Sequence, residues 1–390
     1  MTYRRSVPNF KILTLGCKVN QYESQQIREA YLRQGFQELF DGRPADTYII
    51  NTCTVTHHAD RASFVLIRRA KRENPQAKIY VTGCLVKMDA AKIKERFPDV
   101  SFLDKDEFKQ GINAFCGHTR AFLKIQDGCD NFCSYCKVAL VRGKPRSKPF
   151  DEVIHEAQRL VDAGFKEIVL CGICLGSYGK DFGNVDLVDV LAALEKIKGE
   201  FRIRLSSIEF GDVRERLIKK LETSKKLCPH LHIPLQSGDD RILKLMNRKY
   251  TAEDYLKLVQ ELKRRIPLLS ITTDVMVGFP GESEENFKNT MRLLKEIQPL
   301  RTHIFSFSPR PGTAAWQLYL KSQVPYGIIK KRLKILKEFT DRLSYEFKKK
   351  FQGKELVVLS EGQSGYAQNY ILVNLDKDKS NVNEFFKVRY

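Results

Sequence analysis

The sequence has 390 residues, with 67 Lys and Arg against 47 Asp and Glu, a formal net charge of +20. Hydrophobic residues make up 42% and charged residues 29%, a globular balance that excludes a disordered polyelectrolyte, and no run approaches the roughly 18 apolar residues of a membrane span. The length suits two or three domains of about 150 residues. The basic excess favours a polyanionic partner, because neutralising phosphates releases counterions. The N-terminal segment MTYRRSVPNFKILTLGC lacks an apolar signal segment, which predicts a cytoplasmic protein. Cytoplasmic thiols stay reduced, so the Cys count of 10 points to metal binding or catalysis rather than to disulfides.

In chain order, the first third repeats one pattern three times. The β-branched runs KILTLGC, DTYIINTC and KIYVTGC each end in a cysteine and precede a helix-like segment, at the spacing of βαβ repeats. In an open parallel sheet the C-terminal strand ends line the ligand crevice, so Cys17, Cys53 and Cys84 are expected on one rim. Three thiolates there can hold a cluster and leave one iron without a protein ligand. Buried strand-capping cysteines are the plainer alternative; matched positions in three successive units favour ligation.

From Ala121 onward come AFLKIQ, EIVLCGI, RIRLSSIE, HLHIPLQ, ITTDVMVGF and THIFSFS, separated by helical patterns such as DEVIHEAQRLVDAGF and AEDYLKLVQELKRRI. Six strand–helix alternations predict a parallel, partial barrel with its chemistry at the C-terminal strand ends. IIKKRLKILKEFTDRLSYEFKKKF then reads as a long amphipathic helix packed on that barrel with a solvated basic face. Beyond Gly353, ELVVLSEG, GYAQNYILVNL and FFKVRY form a small β module, without which the barrel is expected to be complete. The fold class is therefore α/β, with domains at 1–118 (open parallel α/β), 119–350 (partial (β/α)6 barrel) and 351–390 (β module).

The strongest local signal is GCDNFCSYC, placing Cys129, Cys133 and Cys136 just after the first barrel strand. Three thiolates spaced four and three apart can wrap one iron–sulfur cube from a strand-end loop. Zinc would need a second cysteine pair, for which only Cys171 and Cys174 stand out, so an open iron is the better reading.

GCDNFCSYC resembles the signature of radical S-adenosylmethionine (SAM) enzymes. LGCKVNQYES, NTCTVTHHAD, VTGC, LGSYG, HIPLQSGDDRILKLMNRKY, DVMVGFPGE and SPRPGT follow in the order found in methylthiotransferases, across nearly the whole chain. CKVNQYES and NTCTVT are most similar to the branch that thiomethylates threonylcarbamoyl-adenosine beside the tRNA anticodon. The isopentenyl-adenosine and ribosomal-protein branches are less similar, and a noncatalytic RNA-binding iron–sulfur or zinc protein is the remoter alternative.

The resemblance implies two 4Fe–4S clusters and SAM as cofactors. Cys129, Cys133 and Cys136 are implied to hold the radical cluster and act catalytically, and Cys17, Cys53 and Cys84 to hold an auxiliary cluster that presents sulfur. Tyr135 is expected against the adenine of SAM, and Ser207, Gln236 and Val277 at barrel strand ends near its ribose and methionine parts. The tail SGYAQNYILV resembles a TRAM domain, implying RNA contacts from Tyr366, Asn369 and Tyr370, with Arg142 and Arg310 meeting phosphates. The partners implied are tRNA and an electron donor such as flavodoxin, with no membrane and a monomeric state. KVALVRG and LCGICLGSYG depart from the family pattern. Cys171 and Cys174 stand where small or polar residues are expected and, with Cys116 and Cys228, are read as strand-buried thiols. His57 and His58 read as surface, and His232 as packing or contact.

Overall fold

The computed structural model describes residues 7–376 and 381–390. The chain divides into two units: Met1–Cys116 with Leu140–Gly143, and Gly117–Ala139 with Lys144–Tyr390.

In the first unit the β-branched runs become strands Asn9–Thr14, Thr47–Thr52 and Lys78–Gly83, with short edge strands Gln37–Glu38 and Ser101–Phe102. All pair in parallel, with Asn9–Thr14 and Thr47–Thr52 side by side and Lys78–Gly83 next. Thr47–Thr52 is buried along its whole length, as a central parallel strand covered on both faces must be. Helices Lys18–Arg33, His57–Glu73 and Cys84–Arg96 follow the three long strands. Thr56 caps the second by accepting the Ala59 N–H. Tyr48, Ile50, Phe64, Ile67, Val81 and Ile93 form the core.

The second unit contains six parallel strands in chain order: Ala121–Lys124, Glu167–Cys171, Arg202–Leu205, His230–His232, Ser270–Val277 and Arg301–Ser306. Bridges Ile203–Leu227 and Ser207–His232 join the first three to the last three. No pairing among the described residues closes the first strand onto the last, so the barrel is partial, as the six alternations predict. Capping boxes at Asp186, Thr251 and Ser283 start three of its helices. The basic segment is a helix, Tyr326–Lys349, that buries Leu336, Leu343 and Phe347 and exposes Lys330, Lys331, Lys334 and Lys337. Its buried Arg332 is neutralised by Glu282 at 2.8 Å. No helix among the described residues is long and apolar enough to cross a membrane.

The C-terminal residues form a four-stranded antiparallel sheet. The run GYAQNYILVNL, read as one strand, is a hairpin: Ser364–Ala367 and Leu372–Asn374 are separated by a turn in which Tyr370 takes φ 68°. That turn packs under the barrel, at the ends where the strands begin. Tyr370 stacks on His230 at 4.5 Å and on Tyr366 at 4.7 Å, and Arg120 covers Tyr366 at 4.8 Å. Asn369 is 0% exposed, and its carbonyl accepts the Ser270 hydroxyl. Tyr366 and Tyr370 are thus half-buried with part of their ring faces covered, and Asn369 is buried. The same packing seats the module against the strand starts of the barrel.

The anchor of this packing is Glu167, fully buried at the first position of its strand. Arg202 Nε and Arg204 Nε reach its carboxylate at 2.6 and 2.7 Å. Their remaining N–H groups donate to Val357, Tyr366, Ala367 and Gln368 carbonyls of the module. Burial alone raises the Glu167 carboxyl, but Arg204, Arg202 and Arg120 outweigh it and hold it well below the carboxylate range. Glu167→Ala should lower unfolding free energy by about 3–5 kcal/mol, because it leaves buried guanidinium groups uncompensated; urea unfolding with an unchanged midpoint would refute this. The wild-type contribution should be full above the ordinary Glu value of about 4.3 and decline as the pH falls toward the depressed folded-state value.

Candidate cluster and cofactor sites

The first unit places its three cysteines where strands hand over to helices. Cys17 is the N-cap of Lys18–Arg33, Cys53 follows Thr47–Thr52, and Cys84 opens Cys84–Arg96. Cys84 and Cys17 both act electrostatically on Cys53, which puts the three sulfurs in one neighbourhood. Two glycines make the approach possible. A Cβ on Gly16 (φ +102°) would stand 3.1 Å from Cys53 Sγ, and one on Gly83 (φ +95°) 2.4 Å from the Thr52 carbonyl.

A buried polar network fixes the loops. Asn20 donates to the carbonyls of Leu15 and Thr52 at 2.7 and 3.0 Å, tying the approaches to Cys17 and Cys53 together. Asn51 donates to the Asn20 carbonyl at 2.9 Å. Arg142 belongs to this unit: it donates to Asn20 Oδ1 at 2.5 Å and to Glu23 at 2.9 Å, and Lys105 reaches Glu23 at 2.7 Å. Arg142 is 5% exposed, its guanidinium held by Asn20 and Glu23 beside the thiol-bearing loops. Asn20 and Glu23 lie in the quoted motif CKVNQYES, but nothing in their spacing reveals a partner 119 residues away.

In the second unit, Cys129, Cys133 and Cys136 occupy the loop after Ala121–Lys124, and Cys136 and Cys133 both act electrostatically on Cys129. The segment Leu245–Arg248 braces this loop. Ser134 N–H donates to the Met246 carbonyl at 3.0 Å and its hydroxyl to Leu245 at 2.7 Å. Asn247 holds the Phe132 carbonyl at 2.9 Å, while Arg248 Nη1 lies 3.4 Å from Cys133 Sγ. Arg248 also pairs with Glu209 and donates to the Pro234 carbonyl. The motif LKLMNRKY thus serves the cysteine loop, a function its sequence does not disclose.

Gln236 takes φ 67° in the irregular strand extension that pairs with Val275. Its Oε1 is buried with no hydrogen-bond partner among the described residues. Ser207 bridges to His232, and Val277 ends its strand with its carbonyl taken by Phe307 N–H at 2.8 Å. Tyr135 meets Phe279 edge to face at 6.5 Å beside Met246, Met276 and Phe307. Arg310 is 4% exposed inside the SPRPGT turn, where its carbonyl accepts from Thr313. Lower in the barrel, Asp274 lies between His232 Nε2 at 3.3 Å and His303 Nδ1 at 3.5 Å. His57 and His58 are exposed.

None of the ten cysteines is in a disulfide. Burial pushes the Cys136 thiol up to about 11, so it gives up its proton most readily to a bound metal. Two sets made of thiols alone, three each at strand ends, fit iron–sulfur clusters. Of the remainder, Cys171 and Cys228 are buried as expected. Cys116 is exposed, because it lies outside any strand, and Cys174 lies past its strand, its sulfur 3.6 Å from Asn131 Nδ2.

A partial parallel barrel opened by a three-cysteine loop defines a radical SAM enzyme, and residues 123–294 match the Radical SAM superfamily model. Residues 9–103 match the Uncharacterized protein family UPF0004. The threonylcarbamoyladenosine tRNA methylthiotransferase MtaB of Thermotoga maritima is 39% identical, covering 97% of this chain and 93% of that protein. The Bacillus subtilis protein of the same name is 37% identical, over 96% of this chain and 92% of that one. The tRNA-2-methylthio-N(6)-dimethylallyladenosine synthase of Carboxydothermus hydrogenoformans is 34% identical, over 91% and 88%. The radical SAM methyltransferase TsrM of Kitasatospora setae, solved with cobalamin and a [4Fe-4S] cluster, shares the fold. It has TM-score 0.58 and 12% identity, over 79% of this chain and 76% of that one. The chain belongs to the radical SAM tRNA methylthiotransferase family.

The network around Asn20 yields a specific expectation. Arg142→Ala should cost the first unit its cluster on mild chelation, halving a total of roughly eight irons per chain, while tRNA affinity stays within about twofold. Full iron retention with weakened tRNA binding would instead give Arg142 the phosphate-contact role.

Proposed function

We propose that this enzyme inserts a methylthio group at C2 of threonylcarbamoyl-adenosine next to the anticodon of tRNA. The observation that carries the reading is the presence of two separate three-thiol sets, one in each unit, in a chain whose relatives at 37–39% identity bear that activity in their names. When bound, the group on Cys129, Cys133 and Cys136 supplies the electron that breaks a carbon–sulfur bond of SAM, and that on Cys17, Cys53 and Cys84 supplies the sulfur. An unactivated aromatic C–H bond resists acid–base chemistry at neutral pH, which explains why one chain carries both.

The protein's own residues position and exclude. Arg248 sets a positive charge beside the Cys133 sulfur. The unpaired Gln236 oxygen offers an acceptor for a SAM N–H or hydroxyl, with Ser207 and Val277 at neighbouring strand ends. Tyr135, Met276, Phe279 and Phe307 form an apolar wall that keeps water from the reactive radical. The +20 charge and the exposed lysines of Tyr326–Lys349 suit a polyanionic RNA. A flavodoxin-type donor, a monomeric state and a cytoplasmic location complete the reading.

The choice of base side chain rests on CKVNQYES and NTCTVT and on the named relatives. A negatively charged threonylcarbamoyl group also favours a basic environment over the apolar pocket an isopentenyl group needs. Mass spectrometry of tRNA nucleosides from a deletion strain should show loss of the 2-methylthio form and accumulation of plain threonylcarbamoyl-adenosine. Loss of the methylthio-isopentenyl nucleoside instead would move the enzyme to the branch of its 34% relatives. In purified protein, alanine at Cys129, Cys133 and Cys136 should abolish 5′-deoxyadenosine formation. Alanine at Cys17, Cys53 and Cys84 should spare it and stop thiolation, and equal loss in both folded variants would refute this division of labour.

A further inference from the structure

Parallel register gathers three metal-binding side chains on one face of the barrel's second half. His232 pairs with Thr272 and His303 with Asp274, and residues two apart on a strand share a face, so His232, Asp274 and His303 point the same way. That face is the lumen. On the opposite face Thr273 accepts a hydrogen bond from Tyr255 of the helix Ala252–Arg265 at 3.3 Å, whereas Met276, two residues beyond Asp274, packs with Phe279 and Tyr135.

Asp274 Oδ1 lies 3.3 Å from His232 Nε2 and 3.5 Å from His303 Nδ1, and one ligand atom from each of the three residues lies within 4.8 Å of the other two. Both separations exceed the about 2.9 Å of an N–H···O bond. A tetrahedral metal at about 2.0–2.1 Å from each ligand atom sets those atoms roughly 3.3 Å apart. The neighbouring layer supplies orientation. Thr272 Oγ1 lies 3.0 Å from His232 Nδ1 and 2.9 Å from His230 Nε2. With its one proton given to His230, the hydroxyl accepts the His232 Nδ1–H and leaves the Nε2 lone pair facing Asp274, the tautomer a metal-ligating imidazole requires. Arg301, which pairs with Thr272, lies over the Tyr370 ring at 5.5 Å, which directs its charge to the barrel floor.

We propose that His232, Asp274 and His303 bind one borderline divalent ion, zinc or ferrous iron, through two imidazoles and one carboxylate, with the remaining coordination positions open to the lumen. Imidazole nitrogens select zinc and iron over magnesium and calcium, which take oxygen ligands. Three protein ligands leave a position for water or for an oxygen atom of a substrate. The side chains of His232, Asp274 and His303 are 14%, 24% and 53% exposed, so an ion reaches them without unfolding the strands. The set contains no sulfur and is separate from the six cysteines assigned to clusters.

The test uses the full-length chain carrying its iron–sulfur clusters, titrated anaerobically with zinc against a chromophoric chelator and then desalted for metal analysis. The parent should retain one zinc per chain beyond its variants, with cluster iron unchanged. Asp274→Asn, His232→Gln and His303→Gln should each lose that zinc, and Thr272→Val, which frees the His232 ring, should weaken it about tenfold. His303→Gln alters a half-exposed side chain, so its loss of zinc at full cluster iron separates ligation from misfolding. Ferrous iron supplied in place of zinc should appear in the Mössbauer spectrum as one high-spin site distinct from the clusters, and competition between the two ions shows which the site prefers. Equal zinc in the parent and all three ligand variants would place the ion elsewhere, for example on the exposed Cys116, and overturns the site. A parent that retains neither ion after desalting overturns it as well.

Discussion

Parallel pairing imposes one constraint on which both units depend: every strand must end on the same rim as its neighbours, because each helix carries the chain back to the opposite edge before the next strand begins. A thiol placed just after a strand therefore arrives beside the thiols that end its neighbours, however far apart they lie in sequence. Cys17, Cys53 and Cys84 are gathered this way in the first unit. In the second, one strand end launches the loop of Cys129, Cys133 and Cys136, while the end of the adjacent strand delivers Cys174 beside it.

The opposite edge of the barrel carries the cost of that arrangement. Strand starts bring Glu167, Arg202, Arg204, His230 and Arg301 into a confined space, and buried charge is tolerated only when it is paired and fully hydrogen-bonded. The C-terminal hairpin supplies what is missing: backbone carbonyls take the outer guanidinium N–H groups, and Tyr370 lies under Arg204 and Arg301 at 4.9 and 5.5 Å. The tail is thus bound to the barrel by its polar backbone and aromatic faces as well as by the shared apolar contacts of Leu300, Phe347, Leu356 and Ile371.

Around both thiol sets the supporting residues are buried polar groups drawn from distant segments. Arg142 and Lys105 neutralise Glu23, Arg142 orients Asn20, and Arg248 with Glu209 stands beside Cys133. Such groups fix ligand geometry because each is satisfied in one arrangement only.

The sequence by itself determined the α/β class, the six barrel strands, the long basic helix and both groups of three cysteines. Those features are written in local periodicity and in the placement of cysteines at strand ends, which neighbouring residues suffice to define. Only the tertiary structure shows where Arg142, Arg310, Tyr366, Asn369 and Tyr370 pack. An arginine or tyrosine serves equally well on a nucleic acid or against a buried carboxylate, and its own neighbours in sequence look alike in both cases. Burial separates the two roles, and burial is created by contacts such as Arg142 with Glu23 and Arg204 with the carbonyls of residues 367 and 368, which exist only once segments more than a hundred residues apart have met.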